Sequence, residues 1–390
     1  MVSATQSAHS AGTQQQSRRI LELIALGSAT SRSELAKQLS LAPSTVSLRV
    51  QELVELGVIH EDGVGESRGG RRPRVLRLSE SRGQILVADV GGQHVRIGRL
   101  DLTGSLLETR SLDVRVDQGP EKTLRAVADA MKDMAASSAQ GDRGISGVGV
   151  SLPGPVDVRT NSVELPSRMP GWPGFAVGDW LEDEFGVPVI VDNDANLMAL
   201  GEHHAQLGAE HHSITVKAGT AIGSGIIVNG QLYRGASGAA GDVTHTRIAA
   251  AEAEPCSCGN TGCLETVASG AALVRQLNRQ NVQVRTTADV LALTRLADPV
   301  ATTLVRTAGT YLGEVLSSVV NFFNPDALFL TGGMASCEPF IAAVRSRVYE
   351  GCHPLVTQNL RIEAASTGPD AGLLGGGRLV LEKILDTATD

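Results

Sequence analysis

The sequence predicts two unlike parts, an α-helical winged helix-turn-helix head and a two-lobed α/β body. Three observations carry this. Residues 16–80 string three amphipathic helical stretches ahead of an arginine-rich hairpin. After residue 82 the pattern changes to hairpins opened by glycine turns, and a second hairpin of that kind recurs about 125 residues on, too far for a solenoid period. Charge divides at the same place. Residues 1–82 hold 11 Lys and Arg against 8 Asp and Glu, so a head of +3 precedes a body of −11 within the overall −8. A basic head on an acidic body suits nucleic acid contacted by the head alone.

The first 15 residues, MVSATQSAHSAGTQQ, read as a disordered lead-in, without the basic flank and apolar run of a signal peptide. No run of uncharged apolar residues is long enough for a transmembrane helix, so a cytoplasmic protein without a membrane partner is expected. Five cysteines without a secretion signal argue against a disulfide framework.

In the head, Ile20, Leu21, Leu23, Ile24 and Leu26 fall at helical spacing and end in a glycine. Ser31 with Glu34 makes a capping-box pattern for a second helix, whose apolar side is Leu35 and Leu39. Pro43 suits the first turn of a third helix with Val46, Val50, Leu53 and Leu56 as its buried stripe. Ser44, Thr45, Ser47 and Arg49 then open a recognition helix, where small polar and basic side chains meet base edges and phosphates. The following stretch reads strand, glycine-rich tip, strand. It concentrates Arg68, Arg71, Arg72, Arg74 and Arg77 in a wing placed for phosphates or the minor groove. The plainer alternative is a helical protein-interaction domain with a solvated basic loop.

In the body, QILVADVGGQHVRIGRLDLTGSLL and SITVKAGTAIGSGIIVNGQLYRG read as the opening hairpins of two related lobes, with Asn229-Gly230 a strong turn signal. Helical stretches fill between strands, and a ligand cleft between the lobes is expected. At the end of one apolar run stands VDNDAN. Its Asp194 could act as a general base toward a substrate hydroxyl, or hold a ligand, or the segment could simply cap a helix.

The segments DVGGQHVRIG, SLPGPVD, VDNDANLMALGE, GTAIGSGIIVNGQLYRGASGAAGDVTH, CSCGNTGCLE and NPDALFLTGGMA occur in the order found in the ROK family of sugar kinases and repressors. The resemblance covers residues 83–390, and with the head the whole chain resembles the ROK-type transcriptional repressors. It implies an actin-like, ribonuclease H-like sugar kinase fold for the body. It also implies sugar contacts at Asn193, Asp194, Asp242, His245 and Glu265, with Asp194 at the position of the catalytic base. The enzymes carry Glu-x-Gly-His where this chain has DVTH, so Asp242 is one methylene shorter and Thr244 replaces glycine; both changes should alter which sugar fits.

Cys256, Cys258 and Cys263 lie in one loop with two glycines, and His245 is the candidate fourth ligand, the set the resembled family uses. Four protein ligands leave no open position for water, so a structural Zn2+ within the loop 245–265 is expected rather than a catalytic one. The nucleotide turns keep Asp89, Gly91, Gly92, Gly219, Thr220, Gly332 and Gly333. They depart from the family pattern at Gln93, Ala221, Ser224 and Thr331, where a hydroxyl residue or glycines are usual. Side chains at glycine positions hinder close approach of backbone N–H groups to phosphate, which puts ATP as a cofactor in doubt.

Together these features point to a sugar-responsive DNA-binding regulator, a repressor of carbohydrate-metabolism genes, acting on operator DNA as a homodimer or homotetramer. The rival is an ATP-dependent hexose or N-acylhexosamine kinase with a DNA-binding head; residual kinase activity stays open because Asp194 is intact. A weaker third reading is an interaction scaffold whose wing binds no DNA.

Overall fold

The computed structural model describes residues 16–387 except 18, 22, 25–26, 56–57, 65–73, 80–82, 93–94, 138–143, 165–168, 209 and 253. The lead-in 1–15, Leu26, Leu56, Gln93 and the wing residues Arg68, Arg71 and Arg72 lie outside the described residues.

The head begins with helix α1, within residues 16–24, which buries Ile20, Leu21 and Ile24. Helices α2 (Arg32–Gln38) and α3 (Pro43–Glu55) follow. Ser31 caps α2: its hydroxyl accepts from the Glu34 N–H at 3.3 Å. The Glu34 carboxylate reaches back to the Thr30 N–H at 2.9 Å, one residue ahead of the cap. In α3, Val46, Val50 and Leu53 are buried while Ser44 and Ser47 face out, the split that the spacing of apolar residues demands. Strands β1 (Ile59–Val64) and β2 (Arg74–Leu78) pair antiparallel with Ile59 opposite Leu78, giving the expected hairpin.

The first lobe runs β3 (Gln84–Val90), β4 (Val95–Leu100), β5 (Leu106–Leu112), α4 (Pro120–Ala136), β6 (Ile145–Leu152), the short pair β7 (Val156–Asp157) and β8 (Ser162–Val163), α5 (Val177–Phe185) and β9 (Val189–Asn193). Its sheet order is β5-β4-β3-β6-β9. Helix α6 (Asp194–Gln206) leads to the second lobe. That lobe holds β10 (Ser213–Ala218), β11 (Ile222–Val228), β12 (Gln231–Tyr233), α7 (Glu265–Ala268), α8 (Gly270–Arg279), α9 (Thr287–Arg295), α10 (Pro299–Phe323), β13 (Ala327–Thr331), α11 (Glu338–Gly351), α12 (Pro354–Thr357) and β14 (Arg361–Ala364). Its order, β12-β11-β10-β13-β14, repeats that of the first lobe. In each sheet the central strand, β3 or β10, is antiparallel to its hairpin partner and parallel to a strand reached by helical crossover. Asn229 and Gly230 both take positive φ, 50° and 70°, as a type I′ turn requires.

The chain closes with α13 (Ala371–Thr387), which packs on β3, β6 and α6, while α6 also packs on β10 and β11. These two helices touch backbone to backbone. A Cβ on Gly201 would lie 2.1 Å from the Ala371 carbonyl oxygen, and one on Gly375 would lie 1.9 Å from that of Leu197. Glycines inside a helix cost helix propensity; here close approach of the two helices requires them. No helix among the described residues is long and apolar enough to cross a membrane.

Candidate functional site

Strand β9 delivers the VDNDAN segment to the N-terminus of α6. The Asn193 side chain caps that helix, accepting from the Ala195 and Asn196 N–H groups at 2.9 and 3.3 Å, and its amide donates to the Gly154 carbonyl at 2.9 Å. Asp192, 1% exposed, accepts from the Asn193 N–H at 2.7 Å and the Asn196 amide at 2.9 Å. Its other oxygen takes the Arg234 guanidinium, Nε at 3.0 Å and Nη2 at 2.6 Å, joining the edge of the first lobe to the hairpin of the second. Asp194 is buried. One oxygen accepts from the Ala195 N–H at 2.7 Å and the other is ion-paired with Lys217 Nζ.

Lys217 stands at the centre of the site's charge. Burial works against its ammonium, yet Asp194, then Asp89 and Glu265, hold its pKa above the ordinary lysine value. Asp89, at the end of β3, is buried and accepts from the Ser151 hydroxyl, with Gly372 of α13 close beneath it. Sequence reasoning passed over both Lys217 and the Asp192–Arg234 pair. The signal available for Lys217 was a lysine in the otherwise uncharged strand SITVKA, since a charge there requires a carboxylate partner.

In the DVTH loop Asp242 is exposed and accepts from the Thr244 N–H at 3.0 Å. The Thr244 hydroxyl donates to the Ile222 carbonyl at 2.9 Å, and the Glu265 carboxylate accepts from the Ile222 N–H at 2.9 Å. The Glu265 N–H donates in turn to the Thr244 carbonyl at 3.1 Å. Ile222, which ends the GTA turn, is therefore gripped on both sides, and the threonine that replaces glycine turns its hydroxyl into the strand.

A ring nitrogen of His245 and the sulfurs of Cys256, Cys258 and Cys263 all lie within 4.8 Å of one another. His245 Nδ1 is 3.5 Å from Cys256 Sγ, and Cys258 Sγ is 3.7 Å from Cys263 Sγ. A tetrahedron built on metal–sulfur bonds of about 2.3 Å has edges of about 3.8 Å, so the four atoms fit a metal ion. The loop is braced internally, with the Cys256 N–H donating to the Asn260 carbonyl at 2.8 Å. The backbone N–H of Asn260 is the chief influence lowering the pKa of Cys258, and it favours the thiolate a metal needs.

The glycine turns are tied by their carbonyls. Gly219 and Thr220 accept from the Gly270 and Ala271 N–H groups at 2.8 and 3.0 Å. The Ser224 hydroxyl donates to the Gly241 carbonyl, so this departure from glycine is also turned inward. Gly332 has φ 84°, and a Cβ there would lie 2.6 Å from the Ala218 carbonyl oxygen; Gly333 opens the turn that follows it. Gly91 and Gly92 follow β3, and Gly92 faces open space.

On the head, Ser44 and Ser47 are exposed and Thr45 is half-buried. Arg49 pairs with Glu52 at 2.6 Å, Arg74 with Glu61 at 2.5 Å, and Arg77 with Asp62 at 3.6 Å. Arg32 also reaches Glu61. Arg32, Arg49, Arg74 and Arg77 of the head are thus each paired with a carboxylate.

A DNA-binding head of this form on a two-lobed kinase-like body defines a transcriptional regulator. The comparisons with known proteins agree. Residues 85–383 match the ROK family and residues 14–60 match a winged helix-turn-helix DNA-binding family. The chain belongs to the ROK family. It is 31% identical to the xylose repressor of Bacillus spizizenii, over 94% of this chain and 95% of that one. Among solved structures it resembles a ROK family transcriptional regulator, a homolog of the Escherichia coli MLC protein, with TM-score 0.79 and 25% identity, covering 97% of this chain and 98% of that one. The body resembles a ROK family glucokinase from Streptomyces griseus solved with glucose and AMPPNP, with TM-score 0.65 and 28% identity, over 76% of this chain and 99% of that one.

Proposed function

We infer that the protein is a sugar-responsive repressor, with residues 16–80 binding operator DNA and residues 83–390 binding a neutral monosaccharide. The observation that carries the receptor reading is Asp194. Both of its oxygens are engaged, by the Ala195 N–H and by Lys217, so it supplies a polar wall for a sugar rather than a free base. Asp89, Asp192, Asp194, Asp242 and Glu265 outnumber Lys217 and Arg234 in this region, a balance that favours uncharged hydroxyls over an anionic sugar. Asn193, Asp194, Asp242, His245 and Glu265 form the sugar contacts in this reading. D-xylose is the first candidate because a relative similar over nearly its full length is a xylose repressor; glucose, bound by the solved glucokinase, is the second.

The metal is a structural Zn2+ on His245, Cys256, Cys258 and Cys263. It holds the loop that presents Thr244 and Glu265 to Ile222. The turns around Gly91, Gly219 and Gly332 are a relic of a nucleotide site, and ATP is not part of the switch. Ser44, Thr45, Ser47 and Arg49, with Arg68, Arg71, Arg72 and Arg74 of the wing, contact the operator. A cytoplasmic homodimer or homotetramer would read a palindromic site.

The link between the two functions runs through α6. It starts at Asp194 and carries Glu202, whose buried carboxylate accepts from the Ser366 and Thr367 N–H groups at 2.6 and 3.0 Å just before α13. Leu373, Val380 and Leu381 of α13 belong to one apolar cluster with Leu35, Val46 and Val50 of the head. A sugar that binds one setting of α6 better than another shifts the head with it.

The test is fluorescence anisotropy on the protein's own upstream DNA with and without D-xylose and D-glucose. The reading expects operator-selective binding that one sugar changes at least tenfold, the size typical of allosteric coupling. Binding that is insensitive to DNA sequence and to every sugar would contradict it.

A further inference from the structure

We propose that Lys217 is a built-in counter-ion: its ammonium takes the place a divalent cation would need in this cleft, so the site works without one. The inference deepens the receptor reading of the same cleft and rests on it for its biological meaning.

The argument begins with placement. Lys217 lies on the central strand of the second lobe, one residue before the end of β10, opposite Gly223 on β11 and Thr331 on β13. Its side chain is 22% exposed and its Nζ pairs with Asp194, which begins α6. Asp89 from β3 of the first lobe and Glu265 from the start of α7 also act on it electrostatically. Asp194 alone is in contact with the ammonium, and Asp89 and Glu265, from two other elements, act on it through space. Asp89 and Glu265 each have further partners, the Ser151 hydroxyl and the Ile222 N–H among them.

Phosphoryl transfer to a sugar uses a metal ion to neutralise charge between a carboxylate and the phosphates. Buried carboxylates without a cation are strongly disfavoured, so some positive charge has to stand here. In this chain it is covalently attached. A metal ion beside Asp194 would meet a like charge already seated on the oxygen it needs. The cleft does not fit the kinase's metal, and Lys217 is the physical reason. It is a positioning residue: it fixes the Asp194 carboxylate for a ligand, and with two further N–H donors it can also offer hydrogen bonds to that ligand.

The probe is Mn2+ alone, titrated into the full-length zinc-saturated protein and followed by its paramagnetic resonance signal. Neither sugar nor DNA is present, so the outcome is independent of whether the effector has been found. Wild type is expected to leave Mn2+ free up to about 1 mM, the weak end of protein affinities for hard cations. Lys217→Met should capture one Mn2+ per chain at least about tenfold more tightly, a change of the size that altering a metal's surroundings produces. Asp194→Asn added to that variant should abolish the new site, and Lys217→Arg should behave as wild type. Lys217→Gln serves in place of methionine if the latter does not fold. Capture by wild type as tight as by Lys217→Met, or no capture by either neutral variant, would overturn the proposal. A lysine needed only for packing would create no metal site when removed. Failure of every sugar to bind wild type would instead sink the receptor reading and leave the Mn2+ result standing.

Discussion

Strands β3 and β10 are the same strand in two lobes, and they end on opposite charges. Each is the centre of its sheet, and each is followed by a glycine turn, Asp89-Val90-Gly91 in one lobe and Lys217-Ala218-Gly219 in the other. The register sets a hydroxyl residue beside each, Ser151 against Asp89 and Thr331 against Lys217. In the first lobe the charge is held by that hydroxyl; in the second it is held by Asp194 at the start of α6. A repeated backbone therefore fixes where the two charges stand, and a single substitution in sign decides what the cleft can hold. The acid alone would call for a cation. The acid with a lysine facing it makes a neutralised polar wall.

The most severe way to break this arrangement is to push α6 off its seat. Gly375→Ala would set a Cβ 1.9 Å from the Leu197 carbonyl oxygen, so one helix has to move. A loss of about 3 kcal/mol or more in urea unfolding is expected, the upper range for overpacking. A variant of normal stability would mean that α6 and α13 do not meet as described.

Acid should separate the lobes next. His203, in α6 against the second lobe, is buried with Nδ1 2.8 Å from the Ser213 hydroxyl. Burial, with His204 beside it, pushes its pKa down to about 4 from the usual 6.5. A base whose pKa is depressed on folding stabilises the fold fully above pH 6.5, and that contribution fades as pH falls toward 4. The shift corresponds to roughly 3 kcal/mol at most. Urea midpoints between pH 7.5 and 4.5 should fall for wild type and fall less for His203→Gln. Parallel profiles would remove His203 from the account.

Two milder substitutions sharpen the comparison. Asp194→Asn keeps the shape and removes the partner of Lys217. It should weaken sugar binding by about 10- to 100-fold, or about 1.4–2.7 kcal/mol, with operator binding in the absence of sugar unchanged. Calorimetry and anisotropy on the same sample distinguish this from misfolding. Ser151→Ala removes the donor to buried Asp89 and should cost about 1.5 kcal/mol in stability, the value of one hydrogen bond to a charged group. An unchanged midpoint would mean that Asp89 has no need of that hydroxyl.

Much of this was legible in the chain itself, where the signal is local. Apolar spacing placed Val46, Val50 and Leu53 inside α3. Asn229-Gly230 announced its turn, and the cysteine spacing announced a metal cluster. The parts that were not legible depend on distant partners. Asp192 meets Arg234 only because two lobes close on each other, and Lys217 drew no assignment because its partner Asp194 is brought to it by α6. Thr244 and Ser224 looked like intrusions into glycine positions, yet both hydroxyls turn to backbone carbonyls, which only the folded loops supply. The glycines of GLLGGG gave no sign of their purpose. They let α13 lie against other backbone, a relation between helices far apart in sequence.

The most direct test of the central claim is calorimetric titration of D-xylose and a sugar panel into the purified protein, with ATP consumption followed on the same sample. The account expects one neutral sugar to bind in a single site while ATP consumption stays at background. Sugar-dependent ATP turnover that disappears in Asp194→Asn would contradict it, leaving a kinase that carries a DNA-binding head.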